Sequence, residues 1–164
     1  MRASPEVTLL LSILDQAYDR RSWHGTNLRG SIRGLSLDQA GWRPARDRHS
    51  LWELVVHAAY WKYAVWRRLT GERRGSFPLR GSNWFQRQPH ATEKEWRADV
   101  ALLNQTHRSL RDAVKTLSAR DLARTPRGGT VSNRVLITGA AAHDLYHAGQ
   151  IQLLKKLSEK KNRG

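Results

Sequence analysis

The chain has 164 residues and a formal charge of +15, with 29 lysine and arginine residues against 14 acidic ones. This length predicts a single domain over residues 1–164, with a core large enough to be stable without cross-links and a frayed basic tail from about residue 158. The sequence contains no cysteine, which excludes disulfides, thiolate metal sites and thiol nucleophiles in the protein itself.

The first predicted helix begins at Ser4 and Pro5, residue types that favour the N-cap and the first helical position. The apolar run that follows, VTLLLSIL, is flanked by acidic residues and lacks a small-residue cleavage site, which indicates a helix and not a signal peptide. We expect the helix to continue, with a bend near Gly25, to about Gly34. No apolar run approaches the length of a membrane span, so we expect a cytoplasmic protein without membrane contact.

A capping box predicts the start of the second long helix at Ser50, because Glu53 follows three residues later. Before it, Ser36 can cap a single helical turn. Gly71 predicts the end of the second helix, since glycine accepts the left-handed conformation found after helices. The stretch from about residue 73 to 91 is rich in proline, glycine and serine and is expected to form a long irregular connection, a type of segment that often carries function.

The third and fourth helices complete the pattern. Thr92 and Glu95 form a second capping box before a helix that ends near Leu117, and the residues after it are expected to form a loop. The fourth helix begins at Thr130 or Ser132 and ends near residue 157. Four long helical segments without strand alternation predict an all-α protein, a four-helix bundle whose sites are built from inward-facing side chains.

Three histidines fall on the predicted inner faces of this bundle. His143 and His147 are four residues apart and share one face of the fourth helix, and His57 lies on the apolar face of the second. Three imidazoles can hold a divalent ion and leave a position open for water or substrate. The same pattern also fits core histidines that each make one hydrogen bond, and the residues alone do not decide between the two.

Two segments are similar to a known family. GLSLDQAGWRPARDRHSLWELVVHAAYWKYAVWRRLTG resembles the segment around the first metal histidine of the DinB-like (YfiT-like) superfamily, and HDLYHAGQIQLLKK resembles its last-helix motif. The resemblance implies a four-helix bundle of DinB-like type that binds a divalent metal, zinc or nickel, through His57, His143 and His147. It further implies a metal-dependent thiol S-transferase or hydrolase acting on a small molecule, with a low-molecular-weight thiol as a possible cofactor.

The other histidines receive different expectations. His24, in the segment SWHGTN, is a candidate catalytic residue, either as a base beside the metal ligands or as a fourth ligand. The alternative is a histidine bonded to backbone near a helix bend. His49, His90 and His107 are assigned to a cap, a loop and the surface. Asp144 lies about 100° around the helix from His143 and is expected to face another helix or solvent.

The aromatic residues and the charge leave further alternatives open. Trp84 and Phe85 either line a pocket for an anionic substrate or pack onto the bundle. Trp66, beside two arginines, is expected to be poorly covered in a monomer, which predicts a homodimer. The basic residues are spread along the chain without a recognised nucleic-acid-binding motif, so the alternative function, a non-catalytic protein that binds nucleic acid or an acidic partner, is not favoured.

Overall fold

A computed structural model describes residues 4–87 and 91–161 of the chain. Within these ranges the regular secondary structure is entirely helical, which confirms the predicted all-α class. The helices are α1 (Pro5–Tyr18), α2 (Leu28–Ser31), α3 (Leu37–Gly41), α4 (Leu51–Thr70), α5 (Glu93–Lys115), α6 (Ala119–Ala123) and α7 (Asn133–Lys161).

The predicted helix starts are confirmed by their cap hydrogen bonds. The side chains of Ser4 and Ser36 accept hydrogen bonds from the backbone of the first turns of α1 and α3. Ser50 and Thr92 form complete capping boxes at α4 and α5. At the other end of α4, Gly71 has a φ of 77°, the left-handed conformation that ends the helix without a steric penalty.

The structure differs from the prediction in three helices. The first helix does not continue to Gly34: α1 ends at Tyr18 and the short α2 forms separately. The predicted loop after α5 contains α6, whose capping box pairs Ser118 with Asp121. The usual capping-box pattern has glutamate or glutamine in place of this aspartate, so it does not predict a helix start here. Finally, α7 continues to Lys161, past the predicted end near residue 157. Within this extension Ser158 is 3% exposed and donates a hydrogen bond to the backbone carbonyl of Lys155, although Leu157 and Glu159 are exposed.

The four long helices form a ring in which α4 packs on α5 and α7, and α1 packs on the same two helices. One apolar cluster surrounds the first half of α4 and includes Leu51, Trp52 and Phe85. A second surrounds the middle of α1 and includes Leu14 and Ile137. Trp66 packs against this second cluster and is half-buried, so the poor coverage predicted for it is wrong.

Charged and polar side chains lie between the two apolar clusters. Lys62 of α4, His107 of α5 and Asp144 of α7 are all buried at this level, and we call these three residues the polar layer. His57, His143 and His147 lie on the same stretches of α4 and α7. In the described part of the chain, no helix has the length and apolar character needed to cross a membrane.

Candidate metal centre

The three predicted metal histidines come together between α4 and α7. Nε2 of His143 lies 3.1 Å from Nε2 of His57 and 3.0 Å from Nε2 of His147. His57 and His147 are buried and His143 is half-buried. Each residue offers one nitrogen, and these nitrogens all lie within 4.8 Å of one another, so the cluster could hold a metal ion.

The outer nitrogens of two of the rings are held by hydrogen bonds. Nδ1 of His57 donates to the backbone carbonyl of Asn83 at 2.8 Å, and Nδ1 of His147 donates to Oε1 of Gln150 at 2.7 Å. With the proton on Nδ1, a neutral imidazole carries a lone pair on Nε2, the atom that faces the cluster. Such hydrogen bonds to the outer nitrogen fix the tautomer and ring orientation of metal-bound histidines.

Burial keeps these imidazoles neutral. Removal from water lowers the pKa of His57 to about 4, although its bond to Asn83 opposes the shift. Burial, together with the neighbouring His147, His57 and Lys62, lowers the pKa of His143 to about 3. Burial also lowers the pKa of His147, opposed by the hydrogen bond to Gln150. Protons therefore compete for these nitrogens at a lower pH than for ordinary imidazoles, which titrate near pH 6.5.

The nitrogen positions are compatible with a bound metal ion, and hydrogen bonds within the cluster can satisfy them only in part. If His57 and His147 both carry their protons on Nδ1, His143 has at most one Nε2 proton to share between two lone pairs. Nitrogens bound to one zinc ion at about 2.0–2.1 Å are themselves separated by roughly 3.0–3.4 Å, depending on the bond angle. The two separations from His143, 3.0 and 3.1 Å, lie in this range.

A family model described as the DinB superfamily matches residues 20–151, most of the chain. The chain belongs to the DinB superfamily. No curated protein and no solved structure shows a significant match to it.

In this DinB-superfamily protein, Trp84 covers one side of the cluster. Its ring stacks on His57, with centroids 3.8 Å apart, and on His49, with centroids 3.6 Å apart. His49 also contacts the Glu53 carboxylate at the start of α4, in keeping with its predicted place at a cap. Phe85 is buried in the first apolar cluster, so for this residue the prediction of packing onto the bundle is confirmed. Trp84 lies beside the histidines and lines the neighbouring pocket.

The loop that carries Trp84 is anchored on both sides. Asn83 has a positive φ of 64°, and its side-chain oxygen accepts a hydrogen bond from Trp61 at 2.9 Å. On the other side, the backbone N–H of Arg87 donates to Glu53 at 3.1 Å. Although burial raises the pKa of Glu53, hydrogen bonds from Arg43, Arg87 and Ser50 outweigh this effect and hold it below its usual value. The carboxylate is thus a fixed anchor for the loop.

A pocket of about 360 Å³ opens beside His147. Its walls are mostly apolar, with basic groups at Arg48 and His49 and an amide at Gln150. The lining residues are Pro44, Arg48, His49, Leu54, Trp84, Tyr146, His147, Gln150, Leu153 and Leu154. None of these described residues is a carboxylate, so the pocket suits a small, largely apolar molecule, with or without an anionic group.

The structure decides the expectations for two residues near the cluster: Asp144 faces another helix, the first of its two alternatives, and the surface position predicted for His107 is wrong. Asp144 is fully buried and forms an ion pair with Lys62 of α4, because the face adjacent to His143 also points into the bundle. Burial raises the pKa of Asp144, and the Lys62 ammonium opposes the rise. His107, predicted to lie at the surface, is 4% exposed and stacks on Tyr18 with centroids 3.7 Å apart. Burial lowers its pKa to about 2, assisted by nearby cations.

The structure does not bring His24 to the cluster. This residue is exposed in the loop between α1 and α2, where its Nδ1 lies 3.5 Å from the Ser22 hydroxyl. His90 lies outside the described residues. Two functional residues were missed from the sequence. Gln150 had a local signal, because it lies one turn after His147 on the same helix, whereas Asn83 had none, because it reaches His57 from a distant loop.

Proposed function

We propose that the protein binds one zinc or nickel ion through His57, His143 and His147, and that it transfers a low-molecular-weight thiol to an electrophilic small molecule. The thiol sulfur would form the new C–S bond, the leaving group would depart with the electrons of the broken bond, and the thiol proton would pass to solvent. The observation that carries the proposal is the convergence of three Nε2 atoms with two tautomers set by Asn83 and Gln150. Imidazole is a preferred ligand of both metals. An ion bound to three neutral imidazoles keeps its dipositive charge and lowers the pKa of a thiol or water bound to it.

The residues around the cluster support a substrate pocket. Trp84 covers His57 and keeps water from that side, while the apolar wall formed by Leu54, Leu153 and Leu154 accepts an apolar group. Arg48 lines the same pocket and can pair with an anionic group of the substrate. These groups bind and orient the substrate next to His147.

The composition of the pocket favours a thiol over water as the nucleophile. Water activated for hydrolysis needs a group that accepts its proton. The described lining contains no carboxylate, and its one imidazole outside the cluster, His49, is stacked on Trp84 and contacts Glu53. Asp144 is paired with Lys62 inside the bundle, and Glu53 holds Arg43. A coordinating thiol is already deprotonated and needs no such base. Hydrolysis is therefore the second choice for the reaction.

The experiment is an assay of metal-loaded protein with a panel of low-molecular-weight thiols and small electrophiles, followed by the loss of free thiol. His57→Ala, His143→Ala and His147→Ala should each abolish metal-dependent turnover. His24→Ala is the matched control and should retain it, because His24 is exposed outside the cluster. Protein that binds metal stoichiometrically but consumes no thiol would contradict the proposed transfer. Loss of activity in His24→Ala would show that the assigned site residues are wrong.

A further inference from the structure

A second cavity, separate from the pocket beside His147, lies between the later turns of α4 and the connection that follows it. It is a groove of about 770 Å³, and we call it the arginine groove. Arg67 and Arg68 line it from α4, and Arg74 and Arg80 line it from the connection. Both segments thus contribute cations, and no carboxylate occurs among the described lining residues.

The helix end explains only part of this charge. Arg67 and Arg68 lie in the last turn of α4, where cations are favoured by the helix dipole. Arg74 and Arg80 come from irregular chain and have no such reason to lie there. An adjoining cavity of about 330 Å³ shares Arg67, Arg68 and Arg74 and adds Arg127 from the segment before α7, with Glu72 as its one acidic lining residue.

The four guanidinium groups of the arginine groove have no carboxylate partner in the described part of the chain. Among the described residues, none of them forms an ion pair within 4.0 Å. Arg67 donates only a long hydrogen bond, 3.4 Å, to the backbone carbonyl of Glu72. Arg43, Arg87 and Arg111 are paired with carboxylates. Exposed arginines such as Arg21 and Arg120 form no ion pair with the described residues, like those of the groove, so it is the gathering of four cations around one cavity that distinguishes it. Unpaired cations around one concave surface attract anions.

Aromatic side chains also line the groove. Tyr60, Trp61 and Phe77 line the groove together with the arginines, and Phe77 packs edge-on against Tyr60 with centroids 5.4 Å apart. A ligand bound here would meet apolar ring surface on one side and guanidinium groups on the other. Guanidinium binds phosphate oxygens in a bidentate manner, and four such groups match a ligand that carries more than one phosphate charge.

We propose that the arginine groove binds a small molecule that carries phosphate groups. Its concave shape and volume favour a small molecule over duplex nucleic acid, which binds along extended basic surfaces. Asn83 lines the groove and also orients His57, so the groove adjoins the metal centre without using its histidines. The proposal therefore goes beyond the proposed function and does not depend on it.

The test is a calorimetric titration of the 164-residue protein with inorganic pyrophosphate at about 0.15 M salt, where diffuse surface attraction is largely screened. The groove variant is Arg74→Ala/Arg80→Ala, which removes two exposed groove arginines. The control is Arg21→Ala/Arg120→Ala, which removes the same charge from exposed positions that do not line the groove. The titration is repeated with His147→Ala to exclude binding through the metal centre.

We expect saturable binding of one pyrophosphate per chain, weakened roughly tenfold or more in the groove variant because hydrogen bonds to a charged ligand are lost. The control and His147→Ala should bind within about twofold of the parent, since they leave these contacts in place. The proposal is overturned by the absence of saturable binding, by equal weakening in groove and control variants, or by loss of binding in His147→Ala. It is also overturned if a duplex DNA oligonucleotide binds and pyrophosphate does not compete with it.

Discussion

Replacement of Lys62 by methionine is expected to destabilise the bundle by about 3–5 kcal/mol at pH 7. The side chains of Lys62 and Asp144 are each 1% exposed and pair with each other in the polar layer. Among the described residues, Oδ1 of Asp144 has no hydrogen-bond partner, so the bond from Lys62 to Oδ2 is what compensates the buried carboxylate. Methionine fills the space of the lysine stem and removes the charge.

The size of this effect follows from the burial of both partners. A carboxylate that loses its cation keeps the cost of desolvation and loses the attraction that offset it. Domains of this kind are stable by about 5–15 kcal/mol, so the variant should lose about a fifth or more of its stability. The double variant Lys62→Met/Asp144→Leu removes both charges and should recover most of the loss, because an apolar pair can replace a buried ion pair at little cost.

The assay is urea denaturation followed by circular dichroism, in the presence of a chelator so that metal binding at the neighbouring His143 does not contribute. Lys94→Met, on the exposed surface of α5, is the matched control and should change the free energy of unfolding by no more than about 0.5 kcal/mol. A Lys62→Met protein within about 1 kcal/mol of the parent would refute the reasoning. So would a double variant that is no more stable than the single one.

Three other predictions concern the metal ligands, the polar layer and assembly. Gln150→Leu should weaken metal binding about 10–100-fold in a chelator competition, because the orientation of His147 is lost, and unchanged affinity would count against that role. The pKa of His107 is lowered in the folded state, so unfolding takes up a proton and the free energy of unfolding falls as the pH drops below 6.5. Between pH 7 and 5 this fall should be about 2 kcal/mol smaller in His107→Phe than in the parent. Equal falls in urea denaturation of the two proteins would contradict the prediction. The homodimer stays a prediction, although Trp66 no longer argues for it, and a light-scattering mass of 18.8 kDa at micromolar concentrations would exclude it.

The features that the sequence predicted well are local ones. A capping box such as Ser50 with Glu53 depends on residues three positions apart, and Gly71 ends its helix by its own backbone preference. The pairing of His143 with His147 is fixed by the repeat of one helix. His57 could be added because its helix has a clear apolar face, and two inner faces of a bundle must meet.

The features that were missed depend on contacts between distant segments. The position of Trp84 over His57 requires a loop held by Glu53 and Asn83, and nothing in the loop sequence specifies those anchors. The sequence left open whether Asp144 faces another helix or solvent. Its partner Lys62 is 82 positions away, and charged side chains are mostly exposed, so the buried ion pair could not be foreseen. The burial of His107, by contrast, could have been predicted from the sequence. It lies four residues after Leu103 and three before Leu110, which is the spacing of one helix face, and both leucines are buried.

The central claim is that His57, His143 and His147 bind one divalent metal ion. The most direct test is the metal content of protein purified without a histidine tag, after incubation with zinc or nickel and removal of free metal. We predict about one ion per chain in the parent and in His24→Ala, and none in His147→Ala, which should keep its helical circular dichroism because the apolar clusters do not include the histidines. A parent protein that remains metal-free, together with a His147→Ala variant that unfolds, would show instead that these histidines are part of the core.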